Sequence, residues 1–562
     1  MTTPGTTARV TDTPVAVPTG EPGPLVAAPC GPVRGEWRRI ASAEEGSRFQ
    51  RSAAFYGIPY AEEPTGRLRF MAPVPRARWT EERDATTPGA TPQRGSIFDD
   101  PAIPEPSVPG DDVLNLNVFT PAPGDDAARL PVYVWIHGGG WTSGSHNSPW
   151  YDGAAFNRDG VVTVSVAYRL GFDGYGWVDG SDAPYNRAVL DQVTALEWVR
   201  DNIASFGGDP DDVTIGGQSA GGGNSLVLMT VPRARGLFHK VISESGAVPD
   251  RPAEEARANS IALAAALGVD PTLEGFRSAT YDEVFYASNR IADQSVSNDP
   301  DARPDATVDS ADGNAGVAGP DPVEAVRNAV DGMPQDLAFI PTVDGDVVSA
   351  PLAEALASGQ GSDVAVLAGS TTHDFTFAGL TYADSAAGRE PWEILTQAGI
   401  PAELADAYLA HHPEHADAPH LIVGDLVSDS TFHVPLVEWF EARGRVPGGT
   451  AGQWAYEFAY ACGPMNLAYH CTEVPFAFDC LAEPYCGHTL GDGAPQELAD
   501  AVHGAWSRFI TTGEPGWPQW SADAVGRRFG DNLTGPVVIE QDVPTFVVER
   551  DLLRLREERA TS

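Results

Sequence analysis

Gly217-Gln218-Ser219-Ala220-Gly221, preceded by Val213-Thr214-Ile215 and followed by Leu226-Val227-Leu228-Met229, decides how this chain is read. An apolar strand that runs into a glycine-flanked serine and then a helix is a nucleophile elbow. The serine sits on a sharp, strained turn, and side chains at the flanking positions would collide with the adjoining strand and helix. The helix that follows offers its positive N-terminal end to negative charge forming at the serine. In a chain with 59 glycines the pentapeptide alone is weak evidence. Its flanks and its partners give it weight.

Outward from the elbow, apolar runs at 132–136, 161–167, 241–243 and 364–368 read as buried parallel strands. Between 191 and 206, Val193, Leu196, Val199 and Ile203 share one face of a helix. This alternation predicts an α/β fold: a mostly parallel central sheet flanked by helices, with large insertions. Such sheets carry their sites at the carboxyl ends of strands. Ser219 is expected there, and so is His137-Gly138-Gly139-Gly140-Trp141, which follows the 132–136 run.

At 562 residues the chain can bury a large core, and no Ser/Gly or Pro linker divides it. One catalytic domain over 29–550 is expected, after a flexible extension over 1–28 and before a tail over 551–562. Residues 295–320, rich in Asp, Ala, Pro and Gly, read as an acidic surface loop, with a lid over the pocket as the alternative. No basic segment leads into an apolar signal core, and no run reaches 18 apolar residues. A cytoplasmic protein with no membrane insertion is therefore expected.

The formal net charge is -42, and Lys240 is the only lysine. Such a field repels nucleic acid and anionic lipid, leaving a small molecule as the expected partner. A GC-rich genome accounts for the arginine bias, with a salt-adapted surface as the alternative. Cys30, Cys462, Cys471, Cys480 and Cys486 are odd in number, which suits reduced thiols. The last four lack a close C-x-x-C-type pair, so zinc is not expected, while a local disulfide among them stays open. His411, His412, His415 and His420 read as a solvated turn rather than a metal site.

A serine hydroxyl attacks only when a base takes its proton, and the base needs a third group to orient it. The oxyanion then needs preorganised N–H donors. His137-Gly138-Gly139-Gly140 is the H-G-G-G motif that supplies such donors. The amides of Gly139, Gly140 and Ala220 are the expected oxyanion hole, with His137 orienting the loop. Trp141, directly after the glycines, is a candidate for the substrate pocket.

The chain resembles the type-B carboxylesterase family, which includes the bacterial para-nitrobenzyl esterases and the cholinesterases. Matching stretches run over roughly 30–520. They include Phe55-Tyr56-Gly57-Ile58-Pro59-Tyr60-Ala61, Leu68-Arg69-Phe70, Asp112-Val113-Leu114-Asn115-Leu116-Asn117-Val118 and Tyr168-Arg169-Leu170-Gly171. Further on, Asp191-Gln192, Phe206-Gly207-Gly208-Asp209-Pro210, Trp506-Ser507-Arg508-Phe509 and Thr512-Gly513-Glu514-Pro515 also fit. Val113 stands where many secreted relatives have a disulfide cysteine.

The resemblance implies an α/β-hydrolase fold and a serine carboxylic-ester hydrolase that needs no cofactor and no metal. It places the base at His470, within His470-Cys471-Thr472-Glu473-Val474-Pro475-Phe476, and the acid at Asp374, five residues after Gly369. Asp stands here where the family usually has Glu; either can orient an imidazole. Gln218 replaces a frequent Glu and is expected to remove a neighbouring charge without touching the chemistry. Ser245 and Glu473 are expected to support the triad through hydrogen bonds. Phe375 and Phe476 join Trp141 as pocket candidates, although the core is the favoured place for Phe476 and Phe478. Carbamate or amide hydrolysis, interfacial lipase action and a non-catalytic binding protein are the rival readings. The preferred acyl chain and the oligomeric state, monomer or dimer, stay open.

Overall fold

Valine-rich runs bury both faces of their strands and form the centre of a twelve-stranded sheet. The structure, a computed structural model, describes residues 14–92, 101–295, 320–332, 337–521, 525–533 and 535–561. Seven adjacent strands are parallel, in the order Val162–Val166, Leu130–Ile136, Gly208–Gln218, Lys240–Glu244, Ala365–Thr371, Gln453–Phe458 and Val525–Asp531. Antiparallel strands extend one edge through Asn115–Thr120, Arg51–Pro59, Glu36–Ile40 and Ala16–Pro18, and Val538–Pro544 closes the other.

The two-residue period of a strand divides its side chains between two cores. Along Leu130–Ile136, Val132, Val134 and Ile136 enter one, while Tyr133 and Trp135 enter the other. Helix Arg187–Asn202 covers the first face through Val193, Leu196 and Val199. Helix Gln496–Thr512 covers the second through Leu498, Val502, Trp506 and Phe509. This is the mostly parallel sheet flanked by helices that the alternation of runs predicts.

Both chain ends depart from expectation. Residues 14–28 are ordered rather than a flexible extension: Ala16 pairs with Ile40, Val26 pairs with Val33, and Val15 is buried. Residues 1–13 lie outside the described residues, as do 296–319, almost all of the expected acidic loop. The expected C-terminal tail is instead helix Val547–Ala560, anchored by Val548, Leu552 and Leu553. Three apolar residues at helical spacing among many charges were enough to dock it. No described helix is long and apolar enough to cross a membrane.

Candidate active site

Ser219 follows strand Gly208–Gln218 directly and precedes helix Ala220–Leu228, with φ 57° and ψ −126°. A non-glycine residue in that conformation costs about 1–3 kcal/mol, and such strain gathers at functional sites. The surroundings enforce it. Gly217 pairs with Ile136 on one side and Ser243 on the other. A Cβ on Gly217 would lie 2.3 Å from the Ile136 carbonyl oxygen, and one on Gly221 only 2.0 Å from the same atom. No side chain fits either place.

The next strand ends in the glycine run, where Gly139 and Gly140 take φ 108° and 58°. Among the described residues, no backbone carbonyl accepts from the amides of Gly139, Gly140 or Ala220. His137 is wholly buried, stacks on Tyr168 at 4.6 Å and bonds the Gly138 carbonyl through Nδ1 at 2.8 Å. Burial lowers its pKa to about 4, which keeps the ring neutral. Its hydrogen bond is thus made to the glycine loop itself.

Two loops beyond later strands bring an acid and a base together. His470 Nδ1 lies 2.6 Å from Asp374 Oδ1, and the His470 amide donates to the Asp374 carbonyl at 3.0 Å. Burial would raise the Asp374 pKa, but the His433 and His470 rings outweigh it and hold the group at about 2. The carboxylate is thus ionised and fixes the His470 tautomer with its proton on Nδ1. Phe375 and Phe432 each pack on the His470 ring at 4.9 Å.

Gln218 differs from expectation. Its side-chain amide lies 3.0 Å from His470 Nε2, the atom that a serine proton would have to reach. Among the described residues, the hydrogen bond at that nitrogen is to Gln218 and not to Ser219. Gln218 therefore touches the His470 ring instead of standing behind it. Ser245 and Glu473 do sit beside the site: the Ser245 hydroxyl donates to Glu473 Oε1 at 3.5 Å. Burial, then Glu244 and Asp374, push the Glu473 pKa well up. Burial likewise raises Glu244 to about 8, against an indole N–H bond from Trp506 at 2.7 Å. Burial thus favours the protonated form of both acids.

A cavity of about 460 Å³ opens on Ser219. Trp141 and Phe375 line it, with Phe377, Phe432, Leu380 and Met465. Trp141 is pinned by a 3.0 Å bond from its indole N–H to Asn224. Phe476 does not line the cavity; it is wholly buried against Phe458 and Tyr460, and Phe478 packs on Trp135 and Phe156. Their apolar surface was taken up by the core.

Behind Asp374 lies a cluster that the sequence reading missed. His412 and His415 are buried rather than solvated, while His411 and His420 are half-buried. His415 pairs with Asp425 at 2.7 Å, His412 with Asp429 at 3.5 Å and His373 with Glu414 at 3.3 Å. His433 lies 2.8 Å from Asp429 and 3.8 Å from Asp374. Two trios, His373–Glu414–His415 and Asp429–His433–Glu549, gather their donor atoms within 4.8 Å. Each imidazole in them already faces a carboxylate at ion-pair distance, so the cluster is internally paired. Its sequence signal was faint, because alternating His, Asp and Glu looks the same on a surface as in a buried network. The five cysteines are all unpaired.

Comparison with known proteins gives the family. A profile described as the carboxylesterase family matches residues 22–523. The para-nitrobenzyl esterase of Bacillus subtilis (strain 168) is 30% identical over 477 residues, spanning 83% of this chain and 88% of that protein. A phenmedipham hydrolase of Pseudarthrobacter oxydans is 31% identical over 497 residues, 84% of this chain and 89% of its own. A solved Geobacillus stearothermophilus carboxylesterase superposes with TM-score 0.70 at 28% identity, covering 94% of this chain and 99% of that one. The chain belongs to the carboxylesterase family, as a carboxylic-ester hydrolase built on the α/β-hydrolase fold.

Proposed function

We propose that the chain hydrolyses small to medium apolar carboxylic esters through an acyl-enzyme, with Ser219 as nucleophile, His470 as base and Asp374 as its orienting acid. The observation that carries this is the 2.6 Å contact of Asp374 with His470 Nδ1, made beside a strained serine and three amides without backbone acceptors. Ser219 attacks the ester carbonyl as His470 Nε2 takes its proton, the Gln218 amide having moved aside. The oxyanion rests on the amides of Gly139, Gly140 and Ala220. His470 then protonates the leaving alcohol, and a water activated by the same ring frees the acid.

The aromatic lining of the cavity supports an apolar substrate. The relative that acts on phenmedipham favours testing a second substrate class, carbamates and amides, on the same triad. A reducing, cytoplasmic setting belongs to the proposal, supported by five unpaired thiols. The test is hydrolysis of para-nitrophenyl esters of increasing acyl length, with one aryl carbamate and Ser219→Ala alongside. Short-chain turnover that falls about 10⁶-fold in the variant is expected. An active Ser219→Ala protein, or a folded wild type that no fluorophosphonate labels, would sink the reading.

A further inference from the structure

Asp374 spends one carboxylate oxygen on His470; the other, Oδ2, is buried and accepts no hydrogen bond among the described residues. Burial of this kind draws a carboxylate toward protonation, and a protonated acid stabilises no imidazolium. The group facing Oδ2 is His433, whose Nε2 stands 3.8 Å away. That is an ion-pair distance, too long for a hydrogen bond.

The local fold places this ring deliberately. Helix Pro419–Ser428 passes through a π-turn at Asp429–His433 before continuing as Val434–Gly444. Such widened turns recur at functional sites. Here the turn sets Phe432 on the His470 ring and His433 behind Asp374. Nε2 of His433 donates to the Thr371 carbonyl at 3.0 Å, while Nδ1 stands 2.8 Å from Asp429 Oδ1, an ion-pair distance without the geometry of a hydrogen bond. Asp374, Asp429 and Glu549 thus stand at 3.8, 2.8 and 3.8 Å from the nitrogens of one buried ring, and three carboxylates so close favour its charged form.

We propose that His433 is a positioning residue for the triad acid: as a buried cation it keeps Asp374 ionised and fixed against His470. This rests on the triad reading above. The groups around His433 favour its charge. From its own turn comes Asp429, which also accepts from the Tyr408 hydroxyl and faces His412. From the C-terminal helix comes Glu549 at 3.8 Å, itself 3.9 Å from His411. From strand Gln453–Phe458 comes Glu457, already paired with Arg528 at 2.8 Å. Burial opposes a charge on the ring, but Asp374, Asp429 and Glu549 overcome it and raise its pKa well above the usual imidazole range.

The sign of the effect follows. Replacing His433 by a neutral residue removes positive charge beside the Asp374–His470 pair, so the pair holds its proton to higher pH. His433→Gln should move the acid limb of the kcat/KM profile up by about one pH unit and lower kcat about tenfold, with KM unchanged. Asp429→Asn removes the opposite charge and should move the limb down. The double variant should return it toward wild type. A merely structural role would lower thermal stability without opposite shifts. Both single variants moving the limb the same way, or not at all, would overturn the proposal.

Should neither variant fold, ¹⁵N-histidine NMR of the full wild-type chain decides. At least one of the 12 rings should keep both protons at pH 8.5, and 12 neutral rings would overturn the proposal. Failure of the triad reading looks different: wild type would be inactive, or Ser219→Ala active, whatever the NMR shows.

Discussion

Ser219 sits where two strands and a helix terminus leave no room for a Cβ at Gly217 or Gly221. Asp374 sits where imidazoles and carboxylates from two helices, a π-turn and a strand converge out of water. The serine side is held by steric exclusion, which is short-ranged and does not depend on pH. The acid side is held by compensated charge, which carries through a low-dielectric interior and changes with every proton. Damage to the first should therefore act through geometry at all pH values. Damage to the second should reveal itself in how activity and stability depend on pH.

The harshest test of that contrast, short of removing the nucleophile, is Asp374→Asn. The amide matches the carboxylate in shape but donates toward His470 Nδ1, favouring the wrong tautomer. Loss of about 10⁴ in kcat is expected, with KM changed little, measured on a para-nitrophenyl ester near pH 8. The same substitution tests the charge. Asp374 titrates at about 2 in the folded chain, below its ordinary value near 3.9. A depressed pKa contributes stability above pH 4 that is lost as pH falls toward 2. The wild-type melting temperature should therefore drop more steeply across that window than the variant's. Parallel curves would mean that the buried carboxylate carries no such charge.

Next in size comes the steric side. Gly139 has φ 108°, and a Cβ there would stand 2.4 Å from the Ser143 carbonyl oxygen. Gly139→Ala should displace a proposed oxyanion donor and cost about 10²–10³ in kcat, equally at pH 6 and pH 9. A loss confined to one end of the pH range would break the distinction between the two sides.

The same distinction explains what the sequence disclosed. Steric needs leave local marks, because only glycine satisfies Gly217, Gly221 and Gly139, and so the elbow and the glycine loop proposed as the hole could be read directly. The sheet was legible for a like reason: strands buried on both faces must be continuous apolar runs. His470 and Asp374 became visible only through resemblance to a family, since a loop His or Asp has no local signature. His433, His412 and His415 were not legible at all. Nothing local marks such pairs as buried, because part of the network comes from partners more than a hundred residues away, as with His411 and His433 facing Glu549. Helix Val547–Ala560 was hidden similarly, its three anchoring residues outnumbered by charges that face water.

The smallest predicted effect falls where the two sides meet. Gln218 belongs to the steric side by its place before Ser219, yet its side chain reaches the charged side at His470 Nε2, 3.0 Å away. As an uncharged amide it offers that nitrogen a donor and adds nothing to the local field. Gln218→Glu keeps the shape and adds an anion beside the Asp374–His470 pair, where burial already pushes the pKa values of Glu473 and Glu244 up. The pair should then hold its proton to higher pH, raising the acid limb of kcat/KM by about one unit while kcat on the plateau changes less than about tenfold. A full pH profile measures both. A new carboxylate that instead took up a proton would leave the limb in place. In that case the charge balance around Asp374 extends no further toward Ser219 than His470 itself.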